Sequence, residues 1–125
     1  MTLPVYSRSE LAQAVRREDL IKETAAQIIK DFGEFNLDLT FSGDTDSFYE
    51  ELSHQMVEHV EKIMEHSHSA LLGLLYRIDI SNKEIELYQQ EMQGQSYAAI
   101  ITELIIHREL KKVMTREYFK HKGSL

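Results

Sequence analysis

Glutamate and histidine side chains recur in the middle of the chain at a spacing used by metal-binding helices. Glu51 and His54 form one Glu-x-x-His pair, and Glu65 and His68 form a second. This i, i+3 spacing matches the ligand pairs of di-iron helical bundles, so a metal-dependent bundle enzyme is one hypothesis. Its ligands are four residues: His54, Glu58, Glu65 and His68.

The periodicity of the same stretch argues against that hypothesis. The acidic and histidine residues share an arc opposite the apolar residues, so on one helix they face solvent. The two Glu-x-x-His pairs lie about 21 Å apart along a helix, too far for one ion to bind both within a chain. We therefore favour a solvated acidic face and predict no cofactor.

A second acid–base pair, Glu103 and His107, lies one helical turn apart in a stretch rich in Ile, Leu and Ala. It fits either a buried acid–base couple or an exposed i, i+4 pair that stabilises a helix by about 0.3 kcal/mol. We favour the exposed pair.

Other catalytic signatures are missing from the sequence. It has no cysteine, no Gly-rich phosphate loop and no nucleophile-elbow pattern, so a catalytic function is disfavoured. The lack of cysteine and of a long apolar run favours a cytoplasmic protein with no membrane association.

Charge is distributed unevenly along the chain. The net charge is −7, which opposes general attraction to nucleic acid or anionic lipid. Residues 34–65 hold nine acids and one base (−8), whereas residues 103–125 hold six bases and three acids (+3). We expect the basic end of the last helix to lie beside the acidic start of the second. The alternative is a nucleic-acid contact through four residues at i, i+4 spacing: Arg108, Lys112, Arg116 and Lys120.

Apolar residues recurring with helical periodicity predict an N-terminal helix and a longer second helix. The first spans about residues 8–32, beginning after a capping box of Ser7 and Glu10. The second spans about residues 47–79, and Ser47 forms its capping box with Glu50. Its last part is apolar nearly all round, which predicts burial on several sides.

A third helix is predicted over about residues 82–120, after the capping box of Ser81 and Glu84. The apolar phase continues through Gly94, where a kink or a short break is the main alternative. The short connection before it predicts an antiparallel hairpin of two long helices.

Segment 35–41 alternates between apolar and polar residues, which is strand periodicity. No second run of this quality is present, so a strand would lack a partner within the chain. We expect an extended loop that presses its apolar side chains onto the helices, and the alternative is pairing with the same segment of a second copy.

Two C-terminal stretches, residues 75–81 (LYRIDIS) and 103–110 (ELIIHREL), resemble small uncharacterised bacterial helical proteins. The resemblance covers about the C-terminal half of the chain. It implies a cytoplasmic bacterial protein and no particular activity.

These patterns together predict one all-α domain over residues 1–125, consisting of a long hairpin and a shorter N-terminal helix. Helices this long expose more apolar surface than three helices cover, so we expect a homodimer. The predicted function is a non-catalytic helical interaction or adaptor protein with a possible protein partner. Its predicted interface residues are Phe35, Leu37, Leu39, Phe41, Leu72, Tyr76, Ile101, Leu104 and Ile105.

Overall fold

The computed structural model describes residues 17–123, and side chains through residue 120. Within this range the chain is all-helical and contains no β-strand. A single turn of 3₁₀ helix, Thr45–Ser47, precedes the second α-helix. The α-helices are α1 (Glu18–Gly33), α2 (Phe48–His66), α3 (His68–Ile78), α4 (Asn82–Glu91) and α5 (Tyr97–Gly123).

The first described helix, α1, begins at Glu18, directly after an extended residue. Arg17 has an extended backbone (φ −94°, ψ 114°), so a continuous helix over residues 8–32 is wrong. The Arg17 guanidinium bonds both carboxylate oxygens of Glu117 near the end of α5, at 2.5 and 3.0 Å, and also bonds Asp19. The predicted capping box of Ser7 and Glu10 lies outside the described residues.

The predicted long second helix is also wrong, because a single residue divides it into α2 and α3. Ser67 is extended (φ −158°, ψ 96°), and its hydroxyl accepts a hydrogen bond from the Ala70 amide at 3.2 Å. Its own amide still donates to the Ile63 carbonyl, which keeps the last bond of α2. The break therefore leaves few backbone groups without partners. The apolar residues keep the same helical periodicity on both sides of Ser67, so the sequence pattern does not indicate the break.

Helix α2 begins at the predicted position, but the predicted capping box of Ser47 and Glu50 is not formed. The Ser47 hydroxyl donates to Asp44, and Ser47 makes no side-chain cap bond to the helix. At α4 the capping box of Ser81 and Glu84 is present, as predicted.

The third predicted helix is interrupted at Gly94, the alternative that the sequence left open. Helix α4 ends at Glu91, Gly94 has a φ of +86°, and α5 begins after Ser96, whose hydroxyl accepts from the Ala99 amide. The predicted hairpin of two long helices is thus replaced by four shorter helices.

Segment 35–41 is an extended loop bound to α2, which agrees with the loop interpretation. Leu39 is buried, and Phe35, Leu37 and Phe41 pack against the core. The polar backbone groups between them bond to side chains of α2. The first of these bonds is donated by His59 to the Asp38 carbonyl at 2.7 Å.

Side chains of α2 bond the loop again at every second residue, at Thr40 and at Ser42. The Gln55 amide bonds both the N–H and the C=O of Thr40, at 2.9 and 2.8 Å. Glu51 accepts from the Ser42 amide and hydroxyl at 3.0 and 2.7 Å. Side chains four residues apart on one helix thus replace the neighbouring strand that an alternating segment otherwise requires.

Helix α5 lies at the centre of the fold and contacts the four other helices. Its first half is buried on every side, with only Ala99 and Glu103 partly exposed between Ala98 and Ile106. Burial on several sides was predicted for the end of the second helix, whereas α3 leaves Leu72 and Tyr76 exposed.

Three predicted interface residues lie in this central helix. Ile101, Leu104 and Ile105 are between 0% and 2% exposed, so the expectation that they remain uncovered in a single chain is wrong. The interruptions at Ser67 and Gly94 allow the shorter helices to pack around α5. Within the described residues, no helix combines the length and apolar character needed to cross a membrane.

The interruption at Gly94 gives a prediction about stability. An alanine at a φ of +86° is strained, so Gly94→Ala should lower the free energy of unfolding by about 1 kcal/mol. In a continuous helix the same change would raise it by about 1 kcal/mol. Urea denaturation followed by circular dichroism measures the sign. Gly33→Ala is the control, because a Cβ there meets open space and the change should not destabilise the protein.

Candidate functional site

The residues of the metal hypothesis lie on the outer surface of the fold. His54 Nε2 is 3.7 Å from Glu58 Oε1, and the two side chains are 81% and 62% exposed. Glu65 is exposed near the end of α2, and His68 is exposed at the start of α3. Among the described residues no group of three or more histidine, aspartate or glutamate side chains is placed to hold a metal ion. One chain therefore does not bring these four residues together as a site.

Glu103 and His107 form a hydrogen-bonded network with two tyrosines from other helices. His107 Nε2 lies 3.1 Å from Glu103 Oε1, and His107 Nδ1 lies 2.9 Å from the Tyr88 hydroxyl. The Tyr49 hydroxyl donates to the other Glu103 oxygen. Helix α5 supplies the acid and the histidine, and α2 and α4 supply one tyrosine each.

The side chains of this network are neither fully buried nor fully exposed. The Glu103 and His107 side chains are 20% and 33% exposed, between the two arrangements that the sequence allows. Each has two side-chain partners, so the network fixes α2 and α4 against α5. The spacing indicated the pair, but no local pattern indicated Tyr49 or Tyr88, which arrive from distant segments.

A second cluster, which the sequence reasoning missed, contains two buried carboxyl groups. Glu109 of α5 is fully buried, and the Asp31 side chain of α1 is 4% exposed. The two carboxyl groups lie close enough for each to affect the protonation of the other. Arg77 of α3 bonds Asp31 at 3.3 Å, and Lys112 Nζ is 3.2 Å from Glu109 Oε1.

The surroundings drive the pKa values of this pair apart. Burial, followed by the hydrogen bond to Asp31 and its negative charge, raises the pKa of Glu109 to about 8. Burial acts to raise the pKa of Asp31 as well, yet hydrogen bonds with Glu109 and Gln27 and the Arg77 charge hold it below its usual value. At neutral pH the pair therefore carries one proton.

The basic residues of α5 are mostly engaged within the chain. Arg108 bonds Asp79 at 2.8 Å, Lys112 lies beside Glu109, and Arg116 lies 3.9 Å from Glu23. These partners lie on α1, on α5 or next to α3. The expected pairing with the acidic start of α2 is therefore wrong, because α5 runs antiparallel to α1 and its basic end meets the start of α1. Three of the four residues of the nucleic-acid hypothesis, Arg108, Lys112 and Arg116, thus lie near carboxylates of the same chain.

The remaining predicted interface residues divide into two groups. Leu39 is buried, and Leu37 and Phe41, in the same bound loop, are partly buried against the core. Leu72 and Tyr76, one turn apart on α3, are 52% and 88% exposed. A Cβ on Gly73, between them in sequence, would lie 3.1 Å from the Phe35 ring. Leu72 and Tyr76 thus form an exposed apolar surface on α3, and the partly buried Phe35 ring lies against the same helix at Gly73. We call these three residues the α3 patch.

Comparison of the whole chain with protein-family models, with curated proteins and with solved structures found no match.

The network around His107 gives a prediction about stability. Tyr88→Phe removes the hydroxyl at 2.9 Å from His107 Nδ1, so the free energy of unfolding should fall by about 1 kcal/mol. At a protein concentration low enough for the chain to be monomeric, Tyr76→Phe removes a hydroxyl from a side chain that is 88% exposed, and it should leave the free energy of unfolding unchanged. Thermal or urea denaturation measures both variants. Equal effects of the two changes would contradict a structural role for the network.

Proposed function

We propose that this chain is a non-catalytic helical interaction protein that forms a homodimer through the α3 patch. The observation that carries the proposal is the exposure of Tyr76, an aromatic side chain 88% open to solvent at the end of the apolar stretch 70–76 of α3. Leu72 and Phe35 extend the same surface. Large apolar side chains grouped on a surface are typical of protein interaction sites.

A second copy of the chain is the partner that suits this surface. The patch is bordered by Arg77, whose side chain is 38% exposed, and by Glu34 and Asp79, at 42% and 80%. A surface that combines an apolar centre with both signs of charge at its rim can pair with itself across a two-fold axis. The earlier reason for dimerisation, an excess of apolar surface along long helices, no longer applies to the buried residues of α5.

The acid–base groups support a structural role more than a catalytic one. Glu103 and His107 are bonded to tyrosines of neighbouring helices, and Asp31 is bonded to Arg77 and Gln27. Bonds of this kind join helices to each other. The lack of cysteine and the resemblance to small bacterial helical proteins favour a cytoplasmic bacterial setting for this interaction. A further protein partner for the acidic face of α2 fits the same class of function.

Leu72→Glu should convert the dimer into a monomer. Each copy would lose a buried leucine and gain a buried charge, so the dissociation constant should rise by about 100-fold or more. Sedimentation equilibrium over a range of protein concentrations measures this change. Circular dichroism of the variant should match the wild-type protein, because Leu72 is half exposed in the folded chain.

Leu87→Glu is the matched control, since Leu87 is 50% exposed on α4 and lies outside the α3 patch. This variant should remain a dimer. A monomeric wild-type protein at about 100 μM, a concentration far above that needed by a micromolar dimer, would refute the homodimer. Dimerisation of both leucine variants with unchanged affinity would refute the α3 patch as its interface.

A further inference from the structure

The contact between Asp31 and Glu109 joins α1 to the central helix through two acids in a buried place. Neither Glu109 oxygen accepts a well-directed hydrogen bond from an N–H or O–H group of the described residues, although the Lys112 ammonium is near. An ionised carboxylate without directed donors is costly to bury. A protonated Glu109, in contrast, can donate its O–H to Asp31.

The charges around the pair balance only when one proton is bound. Asp31 and Glu34 are matched by Arg77, which bonds both, and by Lys112. With Glu109 neutral, the cluster holds two negative and two positive charges. Ionising Glu109 would place a third negative charge against Asp31 inside the fold, where the interaction between charges is strongest.

The other elements packed on α5 bring their titratable groups to different positions. Helices α2 and α4 bring Tyr49 and Tyr88 to Glu103 and His107, which lie six and two residues before Glu109. Near the end of α5, Arg116 meets Glu23, and Arg17 bonds Glu117. On the other side, Arg108 bonds Asp79. The charges that act on Glu109 itself are therefore those of Asp31 and Lys112, and Arg77 acts on Asp31.

We propose that Asp31 and Glu109 form a proton-binding latch between α1 and α5, so that rising pH loosens α1 from the rest of the fold. When α1 moves away, the Glu109 O–H bond breaks and the proton passes to water, leaving both carboxylates solvated. The same motion uncovers the apolar cluster of Leu20, Leu110 and Val113, which lies between α1 and the second half of α5.

The direction of the effect follows from the proton balance. The pKa of Glu109 is about 8 with α1 docked and returns to its ordinary 4.5 when the group is exposed. Between these values the docked state binds one more proton than the open state. The stabilisation from Glu109 is therefore complete below about pH 4.5 and is lost as the pH rises to about 8. Opening should increase about tenfold per pH unit in the upper part of this range.

Hydrogen–deuterium exchange of the full chain between pH 6 and pH 9 tests the latch. After correction for the intrinsic exchange rate, the protection of α1 amides should fall by about tenfold per unit up to about pH 8 in the wild-type protein. Glu109→Gln keeps the shape of the neutral acid, so its α1 protection should not change with pH. Glu86→Gln, at an exposed position on α4, should behave like the wild-type protein.

A carbon-13 NMR titration of the glutamate carboxyl groups gives a second measurement on the unaltered chain. The Glu109 signal should titrate near pH 8, far above the ordinary pKa of a glutamate carboxyl group. Titration of Glu109 near 4.5 would overturn the proposal. It would also be overturned if Glu109→Gln and the wild-type protein lost α1 protection equally as the pH rose.

Discussion

The structure depends on the burial of the first half of α5 on all sides. Between Ala98 and Ile106 the helix presents apolar side chains in every direction, and each direction needs another helix to cover it. Straight helices of about 50 Å, as the sequence predicts for residues 47–79, would contact α5 along one line only. Interruptions at Ser67 and Gly94 instead divide the chain into helices of the length needed to surround it.

Covering α5 also brings polar groups into contact with it, and each is satisfied in a different way. Glu103 and His107 lie at the edge of the core, where tyrosines of α2 and α4 bond them. Glu109 lies where α1 closes over the helix, and there the partner is a second acid, Asp31. A shared proton replaces the missing cation, because Arg77 and Lys112 balance only two of the three nearby carboxylates.

The sequence predicted the helical class, the start of α2, the capping box at Ser81 and the loop nature of segment 35–41, because these depend on local pattern. It failed at Ser67 because the apolar residues on both sides of the break stay in phase, and a serine cap has no glutamate partner there. In the candidate site it indicated Glu103 and His107, whose spacing is local. It did not indicate Asp31 with Glu109, since those residues lie 78 positions apart in the sequence.

The sequence by itself determined that the chain folds into helices, that His54, Glu58 and Glu65 face outward on α2, and that it carries no cysteine chemistry. Only the tertiary structure decided which apolar residues are covered, leaving Tyr76 exposed and burying Ile101, Leu104 and Ile105. It also decided that the basic end of α5 meets α1. Periodicity specifies which face of a helix is apolar, but the neighbour that covers this face depends on contacts between distant segments.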